Sequence, residues 1–309
     1  MTTIPRDLVA ARKQEALAHA LGETVIAALA DPQVVEVMAN PDGRLIVDRL
    51  EGGRRRLGAT LCPQARERTI RLVADHVGEP TDARSPRISG QLPSGERFQG
   101  LLPPVSAGPA WSIRKRPARI WTLEDYQRQG VIDAGQVQIL RQAAAARSNL
   151  LITGGTGSGK TALANALLAE PAFADDRVIL IEDTPELQCS AWDFVPLLTR
   201  RGPARIEVVD LVRDALRLRP DRIVVGELRD GAAALEALTA WNTGHPGGLA
   251  TLHANSAAEA IARLEGLLGE VSSQPQHRLI DQAVEIIAHI RRTPDGRRLD
   301  PILVRRTAG

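Results

Sequence analysis

Residues 149–168 read NLLITGGTGSGKTALANALL, an apolar stretch followed by a glycine-rich segment and then a run rich in alanine and leucine. The segment GGTGSGKT at 154–161 matches the pattern G-x-x-x-x-G-K-[ST], which requires a strand before the glycines and a helix after them. Glycines let successive backbone N–H groups turn toward a phosphate, and the N-terminus of the following helix adds positive potential. The stretch therefore predicts a phosphate-binding loop between a buried strand and a helix.

The residue types within this loop predict ATP and Mg²⁺ as its cofactors. Lys160 is one of three lysines beside 36 arginines. A lysine ammonium is a compact charge on a flexible stem that can reach the β- and γ-phosphate oxygens, whereas a guanidinium is planar and larger. The Thr161 hydroxyl is expected to bind Mg²⁺, which bridges those two phosphates. The residues expected to surround the phosphates with their backbone are Gly154, Gly155, Thr156, Gly157, Ser158 and Gly159.

Two further apolar strands are predicted to end in acidic residues. RPDRIVVGELRD presents Glu227, which could hold Mg²⁺ through a water, polarise the attacking water, or do both. RVILIEDTPELQ ends in Glu182 and Asp183, followed by Glu186. Carboxylates from either strand can act as the general base. The structural alternatives are an incidental surface glutamate at 227 and helix capping by Asp183 or Thr184.

His253 ends another predicted apolar strand, in the stretch LATLHANSAAEA. An imidazole at this position can sense the γ-phosphate and transmit its loss, and ordinary packing of a histidine is the alternative. The loop, the carboxylates and the histidine all fall at the carboxyl ends of predicted strands, where α/β sheets bind ligands. We therefore expect Glu227, Glu182 and His253 to be the catalytic residues.

The 309 residues are enough for two domains. Residues 1–117 contain a helical apolar stripe and short alternating segments, which predict a small α+β domain with a mostly antiparallel sheet. Residues 118–134 lose the alternation and are predicted to be a linker. Residues 135–309 alternate apolar strands with helices, which predicts an α/β domain with a mainly parallel sheet covered on both faces.

Composition limits the classes of function. The 39 basic and 37 acidic residues nearly cancel, and the eight aromatic residues offer few platforms for single-stranded bases, so direct nucleic-acid binding is not expected. Cys62 and Cys189 lie far apart, which argues against a disulfide framework and for a reducing compartment. Because the sequence shows neither a signal segment nor an apolar run of about 20 residues, we expect a soluble cytoplasmic protein.

Four stretches in this order, GGTGSGKT, LIEDTPEL, RLRPDRIVVGELR and GGLATLHANS, resemble the motifs of the secretion-type traffic ATPases. The resemblance is closest to the TrbB-type conjugal transfer ATPases of type IV secretion. It implies that Lys160 and Thr161 bind phosphate and Mg²⁺ and that Glu227 is the Walker B carboxylate and a metal ligand. It also implies that Glu182 is the Asp-box acid and His253 the His-box residue.

The resemblance continues into LPSGERFQGLLPP and WSIRKRP, where Arg97 and Arg114 match arginines that reach the nucleotide phosphates. It implies a RecA-like second domain and a homohexameric ring. It also implies that the chain associates peripherally with inner-membrane secretion machinery and powers conjugative transfer or pilus biogenesis. The zinc-binding tetracysteine of some type II secretion ATPases is absent, which argues against that branch. Because the N-terminal domain is compact compared with that of pilus-assembly ATPases, we do not expect extension of a type IV pilus.

Two other classes compete with this interpretation. A motor acting directly on nucleic acid would need more stacking aromatics than the chain has. A nucleotide-dependent assembly protein with negligible turnover would not need the two carboxylates and His253.

Overall fold

The computed structural model describes residues 6–50, 52–116, 120–200 and 204–305, with side chains from residue 12 onward. It consists of two compact units, Met1–Ala118 and Arg119–Gly309. Within the described ranges, no helix combines the length and the apolar character needed to cross a membrane.

The first unit is an antiparallel sheet packed against helices, as expected for an α+β domain. Its elements are α1 (Arg6–Ala30), β1 (Val34–Ala39), β2 (Arg44–Arg49), β3 (Gly53–Thr60), α2 (Pro63–Val77), β4 (Arg87–Gln91), β5 (Arg97–Leu101) and β6 (Ala110–Arg114). The strand order is β3-β2-β1-β6-β5-β4, and every neighbouring pair is antiparallel. Alternate residues of the central strands, such as Val37, Phe98 and Ile113, are fully buried against Val25 of α1 and Ile70 of α2.

The second unit is an eight-stranded, mainly parallel sheet with helices on both faces. Its helices are α3 (Leu123–Arg128), α4 (Ala134–Ala145), α5 (Lys160–Leu168), α6 (Val208–Ala215), α7 (Gly231–Asn242), α8 (Ala257–Gly269) and α9 (His277–Ala283). Its strands are β7 (Leu150–Thr153), β8 (Arg177–Glu182), β9 (Asp193–Leu198), β10 (Arg222–Val225), β11 (Leu249–Leu252), β12 (Ile286–Thr293), β13 (Gly296–Leu299) and β14 (Leu303–Val304). Two buried apolar clusters, one on each face, account for the continuous apolar runs in the central strands.

The order of the strands places the predicted site residues at one edge. The sheet runs β13-β12-β7-β11-β10-β8-β9, and the strands from β12 to β9 are parallel neighbours. Only β11 lies between β7, which leads into the glycine-rich loop, and β10, which leads to Glu227. Parallel strands end at the same edge of a sheet, so the loop, Glu182, Glu227 and His253 meet there.

The stretch predicted to be a linker, 118–134, differs from the structure. Most of it belongs to the second unit, because α3 buries Leu123 and Tyr126 and the turn after it buries Val131 and Ile132 in the same apolar cluster as α4 and α5. Thr122 caps α3 by accepting from Asp125 N, which fixes where the helix begins. Residues 117–119 lie outside the described part of the chain.

A buried arginine fixes the far end of β10. Arg222 is 2% exposed, its Nε donates to Asp176 Oδ2 at 2.5 Å, and its Nη2 donates to the Ala144 carbonyl at 2.9 Å. The guanidinium also lies 4.3 Å from the centre of the Phe173 ring. These contacts pair the charge and satisfy its donors, which a buried cation requires. The strand that leads to Glu227 therefore has a fixed start.

Candidate active site

The glycine-rich loop follows β7 and adopts a backbone that side chains would obstruct. Gly154, Gly157 and Gly159 have φ of 156°, 68° and 108°, in the left-handed region. A Cβ built on Gly154 would lie 2.2 Å from the Ile290 carbonyl oxygen and 2.5 Å from Ser158 Oγ. The loop therefore packs against β12 at a distance that only glycine permits.

Gly154→Ala should lower both stability and nucleotide affinity, because the new methyl overlaps the backbone of β12. We expect a loss of about 1–3 kcal/mol in the free energy of unfolding, the usual cost of overpacking. Gly155→Ala is the matched control, since a Cβ there meets nothing within 4 Å. Thermal unfolding and ADP binding measured on both variants check this. Equal stability of the two variants would contradict the packing argument.

Lys160 is the first residue of α5, and its ammonium folds back over the loop. Nζ donates to the carbonyl oxygens of Gly154 at 3.0 Å and Gly155 at 3.2 Å. It also lies 3.4 Å and 3.5 Å from the two ring nitrogens of His253. The residue is only 8% exposed. The charge is thus held at the mouth of the loop, beside the end of β11.

The loop also contains donors that suit a phosphate and its metal. Ser158 Oγ is buried and has no hydrogen-bond partner among the described residues, and Thr161 is half-buried in the first turn of α5. The described ranges contain no group of three or more His, Cys, Asp or Glu side chains able to hold a metal ion. Mg²⁺ is commonly held by one or two protein oxygens together with phosphates and waters. The residues present therefore fit a metal that binds with its nucleotide.

Glu227 lies just beyond β10 in a network of charged groups. Its Oε2 accepts from Arg229 Nε at 2.7 Å, and its Oε1 lies 2.8 Å from His253 Nε2. That Oε1 is buried, and its contact with His253 does not have hydrogen-bond geometry. Arg229 also donates to Asp183 Oδ2 at 2.8 Å. One carboxylate oxygen of Glu227 is therefore fixed by Arg229, and the other faces the histidine.

Glu182 has a different environment, although it also ends a strand at this edge. It is 5% exposed, and its Oε1 accepts from the backbone N–H groups of Glu186 and Leu187, both at 2.9 Å. Two backbone donors on one oxygen hold the segment after β8 in a fixed turn. Glu182 therefore stabilises the turn after β8, whereas Glu227 accepts from a side chain, that of Arg229.

The pKa of His253 lies below its ordinary value. The largest cause is burial, which disfavours the charged ring, and the Lys160 charge lowers the pKa further, while Glu227 opposes both. A lowered pKa keeps the imidazole neutral at pH 7, so the ring adds no second positive charge beside Lys160. Beside it, a cleft of about 190 Å³ opens between the loop and the start of α8 and is lined by Gly155, His253, Ala254, Asn255, Glu259 and Arg263.

Arg97 and Arg114 lie in the first unit, on neighbouring strands. They occupy directly opposite positions in the β5–β6 register, so their side chains share one face of that sheet. Phe98 and Ile113, the next residues along, are fully buried on the other face. The structure thus brings together two of the predicted residues within the first unit and the others within the second.

Two residues that the sequence did not single out, Arg229 and His289, contact groups of the site or of the strand that leads to the loop. Arg229 joins Glu227 to Asp183, and its only sequence signal is its place two residues after Glu227. His289 of β12 is 1% exposed and lies 2.9 Å through Nδ1 from Thr153 Oγ1, at the last residue before the loop. Burial lowers the pKa of His289, so the ring is neutral and can share a hydrogen bond with the threonine.

Comparison with known proteins identifies the relatives of the chain. The sequence profile described as "Type II/IV secretion system protein" matches residues 56–297. The conjugal transfer protein TrbB of Rhizobium radiobacter is 47% identical over 290 residues, which cover 93% of this chain and 88% of the relative.

Two solved structures resemble the whole chain. The VirB11 ATPase of the Brucella suis type IV secretion system, crystallised with sulphate, is 26% identical, with a TM-score of 0.50, covering 96% of this chain and 97% of that one. The Legionella pneumophila ATPase DotB is 20% identical, with a TM-score of 0.62 and coverage of 98% and 82%, a likeness that shows the fold alone. The profile match and the 47% identity establish that this chain belongs to the type II/IV secretion system protein family.

Proposed function

We propose that this chain is an ATPase that powers conjugal transfer through a type IV secretion system. The observation that carries the proposal is that Lys160 and Glu227 meet on His253 at one edge of the sheet. The imidazole Nε2 lies 3.5 Å from Lys160 Nζ and 2.8 Å from Glu227 Oε1. A positive group for phosphate and a carboxylate for water at that spacing suit hydrolysis of a nucleoside triphosphate. The TrbB and VirB11 relatives support the link to transfer.

Each residue has a distinct task in this proposal. ATP would supply the phosphoryl group that passes to water, and Mg²⁺ would offset the negative charge of the phosphates. The loop N–H groups and Lys160 orient the phosphates, and Thr161 and Glu227 would hold the metal. Glu227 would accept the proton of the attacking water. His253, neutral and in contact with both Lys160 and Glu227, registers whether the terminal phosphate is present.

We further propose that the second unit is a RecA-like domain. The working form is expected to be a homohexamer attached peripherally to inner-membrane transfer machinery. Arg97 and Arg114 are expected to contact the nucleotide phosphates from the first domain.

The test is phosphate release by the purified chain, measured together with its mass in solution, with and without lipid vesicles. We expect Mg²⁺-dependent ATP hydrolysis by a species with about six times the chain mass. Arg114→Ala should lower kcat/KM by about tenfold, the size of one charge-assisted hydrogen bond. Arg87→Ala, an exposed arginine at the edge of the same sheet, is the control. Absence of hydrolysis under every condition would contradict the proposal.

A further inference from the structure

The hairpin formed by β12 and β13 contains four arginines beside the glycine-rich loop. Arg292 is directly opposite Arg297, and Arg291 is directly opposite Arg298. Because side chains alternate between the faces of a strand, these form two pairs on opposite faces. Two guanidinium groups opposite each other repel, so an anion between them would stabilise the pair.

The two pairs have different surroundings. Arg291 donates from Nε to Asp300 Oδ1 at 2.7 Å, so its face of the hairpin has an acidic partner. Arg292 and Arg297 lie on the same face of the hairpin as Ile290 and Leu299. These two residues are buried in the apolar cluster that also contains residues of α4 and α5. Neither Arg292 nor Arg297 has an acidic or hydrogen-bond partner among the residues that the structure describes.

That second face is in contact with the loop. A Cβ built on Gly159 would lie 3.2 Å from Cδ and Nε of Arg297, and one built on Gly157 would lie 3.9 Å from Nη1 of Arg292. Burial raises the pKa of Tyr126 to about 12, and the nearby charge of Arg297 acts in the opposite direction. The backbone of the hairpin is fixed by the Leu299 N–H, which donates to Val131 O at 2.8 Å. Both cations are thus held against the loop.

Arg292 and Arg297 lie on the opposite side of the loop from Glu227. The loop follows β7, with β11 and β10 on one side and β12 and β13 on the other. Glu227 and His253 come from the first side, and the terminal phosphate must face them for water to attack it. The nucleoside end of the ligand then points toward β12 and β13.

We propose that Arg292 and Arg297 bind the phosphate nearest the nucleoside and so set the affinity of the loop for ADP and ATP alike. The inference rests on the proposed function of the loop as an ATP site. Guanidinium groups suit phosphate oxygens because their fork of donors matches them. Contacts to a phosphate that ATP and ADP share stabilise substrate and product equally, so they affect KM rather than kcat.

The test is calorimetric binding of ADP and of a non-hydrolysable ATP analogue to the full chain. The double variant Arg292→Gln/Arg297→Gln should lose affinity for both ligands by the same factor, at least about tenfold. Its KM for ATP should rise while kcat at saturating ATP stays unchanged. Arg298→Gln removes the same charge from the other face of the hairpin and should bind both ligands as the wild type does.

Two results would overturn the proposal: wild-type affinity of the double variant, or a loss confined to the ATP analogue. Failure of the proposed function gives a different pattern, because the wild type itself would then bind neither ligand. Thermal unfolding without nucleotide verifies that the variants are folded. Should the double variant unfold, the single variants Arg292→Gln and Arg297→Gln provide the same comparison, since each side chain is exposed.

Discussion

Lys160→Ala is expected to reduce ATP turnover at least about 100-fold, to background, while the chain stays folded. In the structure the ammonium is held by the carbonyls of Gly154 and Gly155, at 3.0 and 3.2 Å, at the mouth of the loop. A phosphate can replace those carbonyls as the partner of the charge without a change in the backbone. Alanine removes the charge that stabilises the developing negative oxygens, so both phosphate release and conjugal transfer should be lost.

Two further lysine variants separate this effect from a general loss of charge. Lys160→Arg keeps the positive charge but introduces a larger planar group at a position that is 8% exposed, so it too should fail. Lys13→Ala removes an exposed lysine that forms a surface ion pair with Asp75, and it should turn over ATP normally. Phosphate release by the three variants, with circular dichroism to verify the fold, distinguishes a specific role of Lys160 from a general loss of charge. Near-normal turnover by Lys160→Ala would exclude the proposed role.

Sequence alone was sufficient for the parts of the fold that depend on local chemistry. The loop at 154–161 could be predicted because its glycines, lysine and threonine form a local pattern with a strand before it and a helix after it. The central strands were predictable because burial on both faces gives continuous apolar runs, such as VILI at 178–181. Hairpin turns with Gly43 and Gly95, at φ of 89° and 99°, carry their own signal.

Edge strands carry little sequence signal, for a physical reason. β3 is exposed along most of its length and contains Arg54, Arg55 and Arg56, and β9 contains Pro196. Arginines and proline at an edge hinder pairing with another chain, and they also erase the apolar alternation that identifies a strand. The helix α3 was missed because its six residues are too few to show a helical period.

The separate tasks of the two glutamates could not be predicted either. Both end an apolar strand, so their sequence contexts are alike. Only the fold shows that the turn after β8 directs two backbone N–H groups at Glu182, and that Arg229 and His253 converge on Glu227. The partners come from backbone geometry and from neighbouring strands, which no local pattern records.

Glu227→Gln should still bind ATP but hydrolyse it at least about 100-fold more slowly, the size expected for loss of a general base. Glutamine keeps the shape of the side chain and can still accept from Arg229, so the network survives. It cannot take a proton from water, and it presents no negative charge to a metal. The measurements are single-turnover hydrolysis and binding of an ATP analogue, which separate the chemical step from affinity.

Glu182→Gln is the matched variant, because it makes the same substitution at the other strand end. Its amide oxygen can still accept from the N–H groups of Glu186 and Leu187, but without the charge that strengthens those bonds. We therefore expect a loss of about 1–2 kcal/mol in the free energy of unfolding and a smaller fall in hydrolysis than Glu227→Gln shows. If Glu182→Gln abolished hydrolysis while Glu227→Gln left it almost unchanged, the general base would be Glu182. The proton would then go to Oε2 of Glu182, because the N–H groups of Glu186 and Leu187 both donate to Oε1.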